Sequence, residues 1–384
     1  MSSYSPGLEG IVAAETTLSR VDGEAGQLTL SGYPVEELAP RARFEETIFL
    51  LWNDRLPTPD ELEAFCADLA SRRHLEPATL ELLSAAAERR LAPMDALTVG
   101  TASLALTAAA DARTLIATLP LLVGAYHRLL HDRPPVEPRQ DLGHAASYLH
   151  QLTGEVPSAA RVRGLETYLN TVCDHGFNAS TFTARVIVST GSDPVDAAVG
   201  ALGALKGPLH GGAPGPALDM VKAIGRVDRA EAWIQDALDR GERLMGFGHR
   251  VYRVRDPRAE VLAQAAEEFF ADDGDRALYE LARGVEAIAL EQLRQRKPHR
   301  RIATNVEFYT ALLLDGLGLT TDLFTPTFAI GRIAGWMAHV REQQESGRLI
   351  RPRSEYVGEQ GRRWVPLAAR AKPDLLAESV GAGS

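Results

Sequence analysis

Apolar residues recur at three- and four-residue spacing along most of the chain, the period of an amphipathic helix. Thr58-Pro59-Asp60-Glu61 is a capping box with proline in the first turn, and Leu62, Phe65, Cys66 and Leu69 follow on one face. Asp193-Pro194 opens a second such helix, with Val195, Ala198, Val199, Leu202 and Leu205 along one stripe, and Gly207-Pro208 closes it. The same pattern predicts helices over 78–92, 98–131, 141–152, 160–172, 229–240, 258–271, 276–295, 305–316 and 326–345, with another starting near Pro216. Strict alternation, the strand signature, is confined to Gln27–Tyr33. The expected fold class is therefore all-α, a set of many packed helices without internal repeat or low-complexity linker. The tail after Lys372, which ends Val-Gly-Ala-Gly-Ser, is expected to fray.

At 384 residues the chain can bury a large core and divide into two domains. Its 41 Lys and Arg against 51 Asp and Glu leave a net charge of −10, which argues against nonspecific nucleic-acid binding. Cys66 and Cys173 are the only cysteines, so neither a disulfide framework nor a thiolate metal site is expected. The N-terminus has no basic and then apolar leader, and the most apolar stretch, Leu115–Tyr126, is too short to span a bilayer. A cytoplasmic protein without a membrane partner is the expectation.

Against this acidic background one segment is strongly cationic. Between Gly246 and Arg258, His249 follows two glycines, and Arg250, Arg253, Arg255 and Arg258 follow it. Arginine forks hold carboxylate and phosphate oxygens in a plane, so the segment reads as a small-anion site or as a solvated arginine-rich loop. Lys206-Gly-Pro-Leu-His210-Gly-Gly puts a second histidine between a helix stop and the next helix start. At a helix N-terminus the dipole would hold that imidazole neutral, able to donate to a developing oxyanion; the alternative is a loop histidine that only satisfies backbone groups. Glu307, among Val306, Phe308, Leu312 and Leu313, reads either as a desolvated carboxylate made more basic or as an exposed helix-face glutamate. In Asp174-His175-Gly-Phe-Asn178-Ala-Ser180, a histidine stands beside residues that could equally cap a helix. Arg332, in an apolar helix, would need an anionic partner, whereas Arg351 reads as a surface arginine. Phosphate-loop, dinucleotide-loop and nucleophile-elbow motifs are missing. His127 and His131 share a helix face without an acidic residue to complete a zinc pattern.

Three of these segments together resemble the citrate synthase family. His210 in Gly-Pro-Leu-His-Gly-Gly, His249 in Gly-Phe-Gly-His-Arg-Val-Tyr-Arg-Val-Arg-Asp-Pro-Arg, and Glu307 in Asn-Val-Glu-Phe-Tyr stand in the order of the family's catalytic trio. Gly7-Leu-Glu-Gly-Ile, Asp22-Gly and Phe44-Glu-Glu-Thr are similar to the start of the shorter bacterial members, and the resemblance runs from about Gly7 to Tyr356. It implies a multi-helical homodimer with a large domain (1–215 and 319–384) and a smaller mobile one (216–318) closing over a cleft. The reaction implied joins acetyl-CoA to oxaloacetate and hydrolyses the citryl-CoA formed. Coenzyme A thioester enters as co-substrate, without a permanently bound cofactor or a metal.

The resemblance also implies roles. Glu307 would take a proton from the thioester methyl, His210 would stabilise the enol, and His249 would polarise the ketone. Arg258, Arg332 and Arg351 match carboxylate-binding arginines, with Arg351 reaching the partner's site. His175 matches an oxaloacetate-binding histidine, and Arg253 a contact to coenzyme A phosphates. Two positions depart from the family pattern: the base is usually aspartate, and Pro214 replaces the asparagine of His-Gly-Gly-Ala-Asn. Both changes lie on the acyl-CoA side of the chemistry. They keep open a 2-methylcitrate synthase using propionyl-CoA, and a catalytically weak paralogue that binds dicarboxylate or CoA.

Overall fold

The chain begins its larger unit with a small antiparallel sheet, β1 (Ser19–Asp22), β2 (Gln27–Leu30) and β3 (Tyr33–Pro34), in that order. Ser19 pairs with Leu30, and Leu30 with Tyr33. The computed structural model describes residues 4–107, 110–211, 214–248, 256–299 and 302–370. His249, Arg250, Arg253, Arg255 and the tail after Lys372 therefore lie outside the described residues.

Helices make up nearly all the remaining regular structure, as expected for the all-α class. The first eight are α1 (Val35–Leu38), α2 (Phe44–Asn53), α3 (Pro59–Ser71), α4 (Pro77–Glu88), α5 (Pro93–Ser103), α6 (Ala112–Leu130), α7 (His144–Thr153) and α8 (Ala159–Val172). There follow α9 (Ala179–Val188), α10 (Pro194–Leu205), α11 (Pro214–Ile224), α12 (Val227–Asp239), α13 (Pro257–Asp272), α14 (Arg276–Arg296), α15 (Val306–Gly316) and α16 (Phe324–Ser346). Among the described residues, no helix is long and apolar enough to cross a membrane.

Side-chain caps set many of the starts, because the first N–H groups of a helix need acceptors. Thr58, Asp111, Ser158, Asn178, Asp193, Asp256, Asp275 and Asn305 each accept a backbone N–H at the head of their helix. One cap is supplied from another helix. Glu45 of α2 is buried, and its Oε1 accepts the His144 N–H at the start of α7 at 2.7 Å. The expected single helix over 98–131 is a correction: α5 ends at Ser103, and α6 begins only after Asp111, whose carboxylate accepts the Thr114 N–H at 2.8 Å. The short helices α1 and α2 and strand β1 carried no signal strong enough to predict them.

The core lies around α6 and α16. Every residue from Leu115 to Tyr126 is buried, as are Ile330, Ile333, Ala334, Trp336 and Met337 of α16. Small residues allow the closest helix approaches. A Cβ at Gly124 of α6 would lie 2.5 Å from the Gln151 Cβ of α7, and one at Gly335 of α16 would lie 2.3 Å from the Cys173 carbonyl oxygen.

The structure divides into two compact units, Ala14–Ile350 and a smaller one made of Met1–Ala13 with Arg351–Ser384. The smaller unit carries two 3-10 turns, Pro6–Leu8 and Leu367–Ala369, and Arg351 is exposed within it. Replacement of Gly124 with alanine is expected to lower stability by about 1–3 kcal/mol through overpacking at the α6–α7 contact. Denaturant unfolding measures this, and an unchanged midpoint would contradict that packing.

Candidate active site

Five of the residues singled out from sequence meet around one cavity. His175, His210, Arg258, Glu307 and Arg332 line it, together with Tyr168, Asn178, Leu209, Thr310 and Phe328. The cavity holds about 960 Å³ of empty space, its open mouth included. Leu209, beside His210, is 95% exposed.

Arg332 projects from α16 and is almost wholly buried. Its Nε donates to the Val172 carbonyl at 2.6 Å, and its guanidinium lies over the Phe328 ring, 4.6 Å from the centroid. Among the described residues no carboxylate forms an ion pair with it, contrary to the anionic partner its burial predicts. Burial pulls its pKa down to about 10, partly offset by the charge of Asp174. A desolvated guanidinium with unused donors beside a cavity is suited to bind an anion.

Asp174 is held by a buried chain of side chains. Ser19 Oγ donates to its Oδ2, and His339 Nε2 lies 3.2 Å from Oδ1. His339 Nδ1 faces Arg185 Nη1 at 3.1 Å. The arginine can only donate, so in this arrangement Nδ1 accepts and the Nε2–H points to Asp174. Burial works to raise the Asp174 pKa, but His339, Arg332 and Ser19 lower it overall, so the carboxylate keeps its charge.

Arg258 is differently placed. It stands in the first turn of α13 and pairs with Asp256 in a fork, Nε to Oδ1 at 3.1 Å and Nη2 to Oδ2 at 2.8 Å. Both residues are buried. Asp256 also caps α13 through the Arg258 N–H at 3.0 Å, which orients the guanidinium at the cavity wall.

His210 lies in the turn after α10. Its N–H bonds the Gly207 carbonyl at 2.9 Å, and Thr325 of α16 anchors the next carbonyl, that of Gly211, at 2.9 Å. A Cβ at Gly211 would lie 2.4 Å from the Leu205 carbonyl, so this turn requires glycine there. The ring Nε2 faces Ser180 of α9, 2.8 Å from its Oγ and 3.4 Å from its backbone N–H. A backbone N–H can only donate, so the tautomer that satisfies it carries its proton on Nδ1. Trp336 Nε1 donates to the same hydroxyl at 3.1 Å, and that hydroxyl also lies 2.7 Å from Asn178 Oδ1. Burial, and then Arg332, lower the His210 pKa to about 4. The imidazole is neutral as expected; burial is the main cause, and the helix N-terminus that its ring meets is that of α9, through the Ser180 N–H.

Glu307 occupies the first turn of α15, where Asn305 Oδ1 accepts its N–H at 3.0 Å. Burial raises its carboxyl pKa, opposed by Arg243 and Arg258. No hydrogen bond reaches its carboxylate among the described residues. His249 and Arg253 lie outside those residues. Sequence reasoning weighed Ser180 only as a cap and passed over Trp336, because both reach the site through contacts distant along the chain.

A half-buried carboxylate, a neutral imidazole and an anion-binding guanidinium around one cavity define an enzyme of proton abstraction beside a carbonyl. The model of the citrate synthase C-terminal domain matches residues 7–353, and the chain belongs to the citrate synthase family. It is 41% identical to a citrate synthase of Haloferax volcanii, over 95% of this chain and 98% of the relative. It is also 37% identical to a 2-methylcitrate synthase of Shewanella oneidensis, over 95% and 97% of the two chains. Among solved structures, the citrate synthase of Thermoplasma acidophilum in ternary complex with carboxymethyl coenzyme A and oxaloacetate superimposes with a TM-score of 0.84 at 29% identity, covering 96% of this chain and all of the other.

The His210 shift gives a signed pH effect. An unfolded histidine titrates near pH 6.5, while the folded ring resists protonation down to about 4. The stabilisation is therefore complete above the unfolded pKa and is lost as pH falls through that window. His144, fully buried and also lowered to about 4 by burial, acts in the same direction. His210→Gln is expected to flatten, but not abolish, the acid-side loss of stability in denaturant unfolding at a series of pH values. An identical slope in the variant would contradict this assignment.

Proposed function

We propose that this citrate-synthase-like enzyme condenses acetyl-CoA with oxaloacetate to give citrate and CoA. The observation that carries the reading is the meeting, around one cavity, of Arg332 without a carboxylate ion pair among the described residues, neutral His210, and Glu307 with its raised pKa. Glu307 takes a proton from the acetyl methyl. The thioester oxygen gains negative character and accepts a hydrogen bond from the His210 imidazole. The enol carbon then bonds to the ketone carbon of oxaloacetate, and the ketone oxygen takes a proton from His249. Water cleaves the citryl thioester, releasing citrate and CoA.

Arg258, Arg332 and Arg351 take the oxaloacetate carboxylates in this reading, His175 assists them, and Arg253 meets the phosphates of CoA. Arg332 and Arg258 differ in readiness. Arg332 has no carboxylate to release among the described residues, whereas Arg258 shares its charge with Asp256. Arg332 is therefore assigned the larger part of the affinity, at about 1.5–3 kcal/mol for a charge-assisted hydrogen bond. The reading includes a cytoplasmic homodimer, with Arg351 serving the partner's cleft and residues 216–318 closing over the substrates to exclude water. The identity to 2-methylcitrate synthases keeps propionyl-CoA as the second acyl donor to assay.

Steady-state release of CoA with each donor tests the reading. Acetyl-CoA is expected to have the higher kcat/KM, and a large preference for propionyl-CoA would overturn that choice. Glu307→Gln is expected to lower kcat by roughly 10²–10⁴-fold, the usual contribution of a general base. Oxaloacetate affinity in calorimetry should stay nearly unchanged, because the arginines remain. Undiminished turnover in that variant would remove Glu307 from the role of base.

A further inference from the structure

Glu286 of α14 is buried outside the cavity, yet its carboxylate collects three donors. Tyr309 Oη donates at 2.5 Å, Thr304 Oγ1 at 2.6 Å, and Arg283 Nη1 at 3.2 Å. Arg283 also donates to Tyr309 Oη at 2.7 Å. A buried carboxylate is costly unless served in this way, and hydrogen bonds to a charged acceptor are among the stronger ones. Its donors stand at telling positions. Thr304 lies three residues before Glu307, and Tyr309 two residues after it. The carboxylate thus holds two side chains, one on either side of the proposed base along the chain.

The grip extends to the second catalytic segment. Thr304 pairs with Phe247 in an isolated antiparallel bridge. Gly248 N–H donates to the Ala303 carbonyl at 2.8 Å, and Asn305 N–H to the Gly246 carbonyl at 3.0 Å. Asn305 Nδ2 donates to the Gly248 carbonyl at 2.9 Å. Gly246 has a φ of +85°, and a Cβ there would lie 2.9 Å from Phe308, so the pairing depends on glycine. The two residues on either side of Phe247 are thus stitched to the cap of α15, and the stitched strand ends one residue before His249.

We propose that Glu286 is a positioning residue for the condensation: a single buried carboxylate that fixes the backbone of Glu307 and the strand leading to His249 as one unit. It does not line the cavity. Its effect on catalysis rests on the reading of Glu307 as the base, while its anchoring of the two segments does not.

The nearly isosteric Glu286→Gln tests this in the full chain. A glutamine amide turned toward Thr304 or Tyr309 meets a hydroxyl that already donates, so one donor loses its acceptor. Misplacement of a base by about 1 Å costs on the order of a hundredfold, so a fall in kcat of about tenfold to a hundredfold is expected. Oxaloacetate affinity should stay within about twofold, because Arg332 is held by α16 and not by α14. Thr304→Val removes one donor only and should lower kcat by about fivefold, the equivalent of one ordinary hydrogen bond. Amide hydrogen exchange should quicken in 303–307 and 246–248 of Glu286→Gln and stay unchanged in α6.

A folded Glu286→Gln enzyme with undiminished kcat overturns the proposal, as does unchanged exchange in both segments. A parallel loss of kcat and oxaloacetate affinity also overturns it, because that pattern marks general destabilisation. If the wild-type chain releases no CoA from either donor, the functional reading fails. The exchange measurement then decides the anchoring by itself.

Discussion

A guanidinium taken out of water without an ion-paired carboxylate among the described residues is the constraint on which the cleft depends. Arg332 is held in place by one carbonyl and one aromatic face, and the fully buried carboxylate of Asp174 acts on it from behind. That arrangement leaves the charge satisfied in sign but not in hydrogen bonds, and the cavity is where the missing acceptors belong. Much of the surrounding architecture keeps Asp174 where it is. Ser19 reaches it from β1, His339 from α16, and the absence of a side chain at Gly335 lets α16 approach the Cys173 carbonyl. The small sheet at the start of the larger unit thus contributes to the site, although none of its residues lines the cavity.

The two chemical halves of the cleft are supported by different parts of the molecule. His210 is fixed from α9 and α16, through Ser180, Trp336 and Thr325. Glu307 is fixed by the cap of α15 and by α14. Electrostatics follow the same division: burial depresses the imidazole and raises the carboxyl, leaving a neutral donor opposite a strengthened base.

Much of this was legible in the chain, for identifiable reasons. Helical periodicity and cap residues such as Thr58, Asp193 and Asn305 are local signals, and the helices they announce are present. Glycines around His210 marked a tight turn in advance, and Gly211 proves to need its lack of a side chain. What escaped was non-local. The break between α5 and α6 depends on Asp111 as a cap within a long apolar run, which periodicity alone reads as continuous. The neutrality of His210 comes first from burial and then from Arg332, more than a hundred positions away in sequence. Ser180 and Glu286 looked like ordinary polar residues because their partners, His210 and Thr304, lie 30 and 18 residues away.

The bond from Trp336 to Ser180 has an optical consequence. The indole is fully buried, and its one polar atom ends on the hydroxyl that faces the His210 ring. Ultraviolet emission from an indole responds to the polarity and hydrogen bonding at that nitrogen. The chain therefore carries, one hydroxyl away from the imidazole, a native chromophore whose colour tracks the state of that ring. Trp364, which is 79% exposed, supplies an internal reference in contact with solvent.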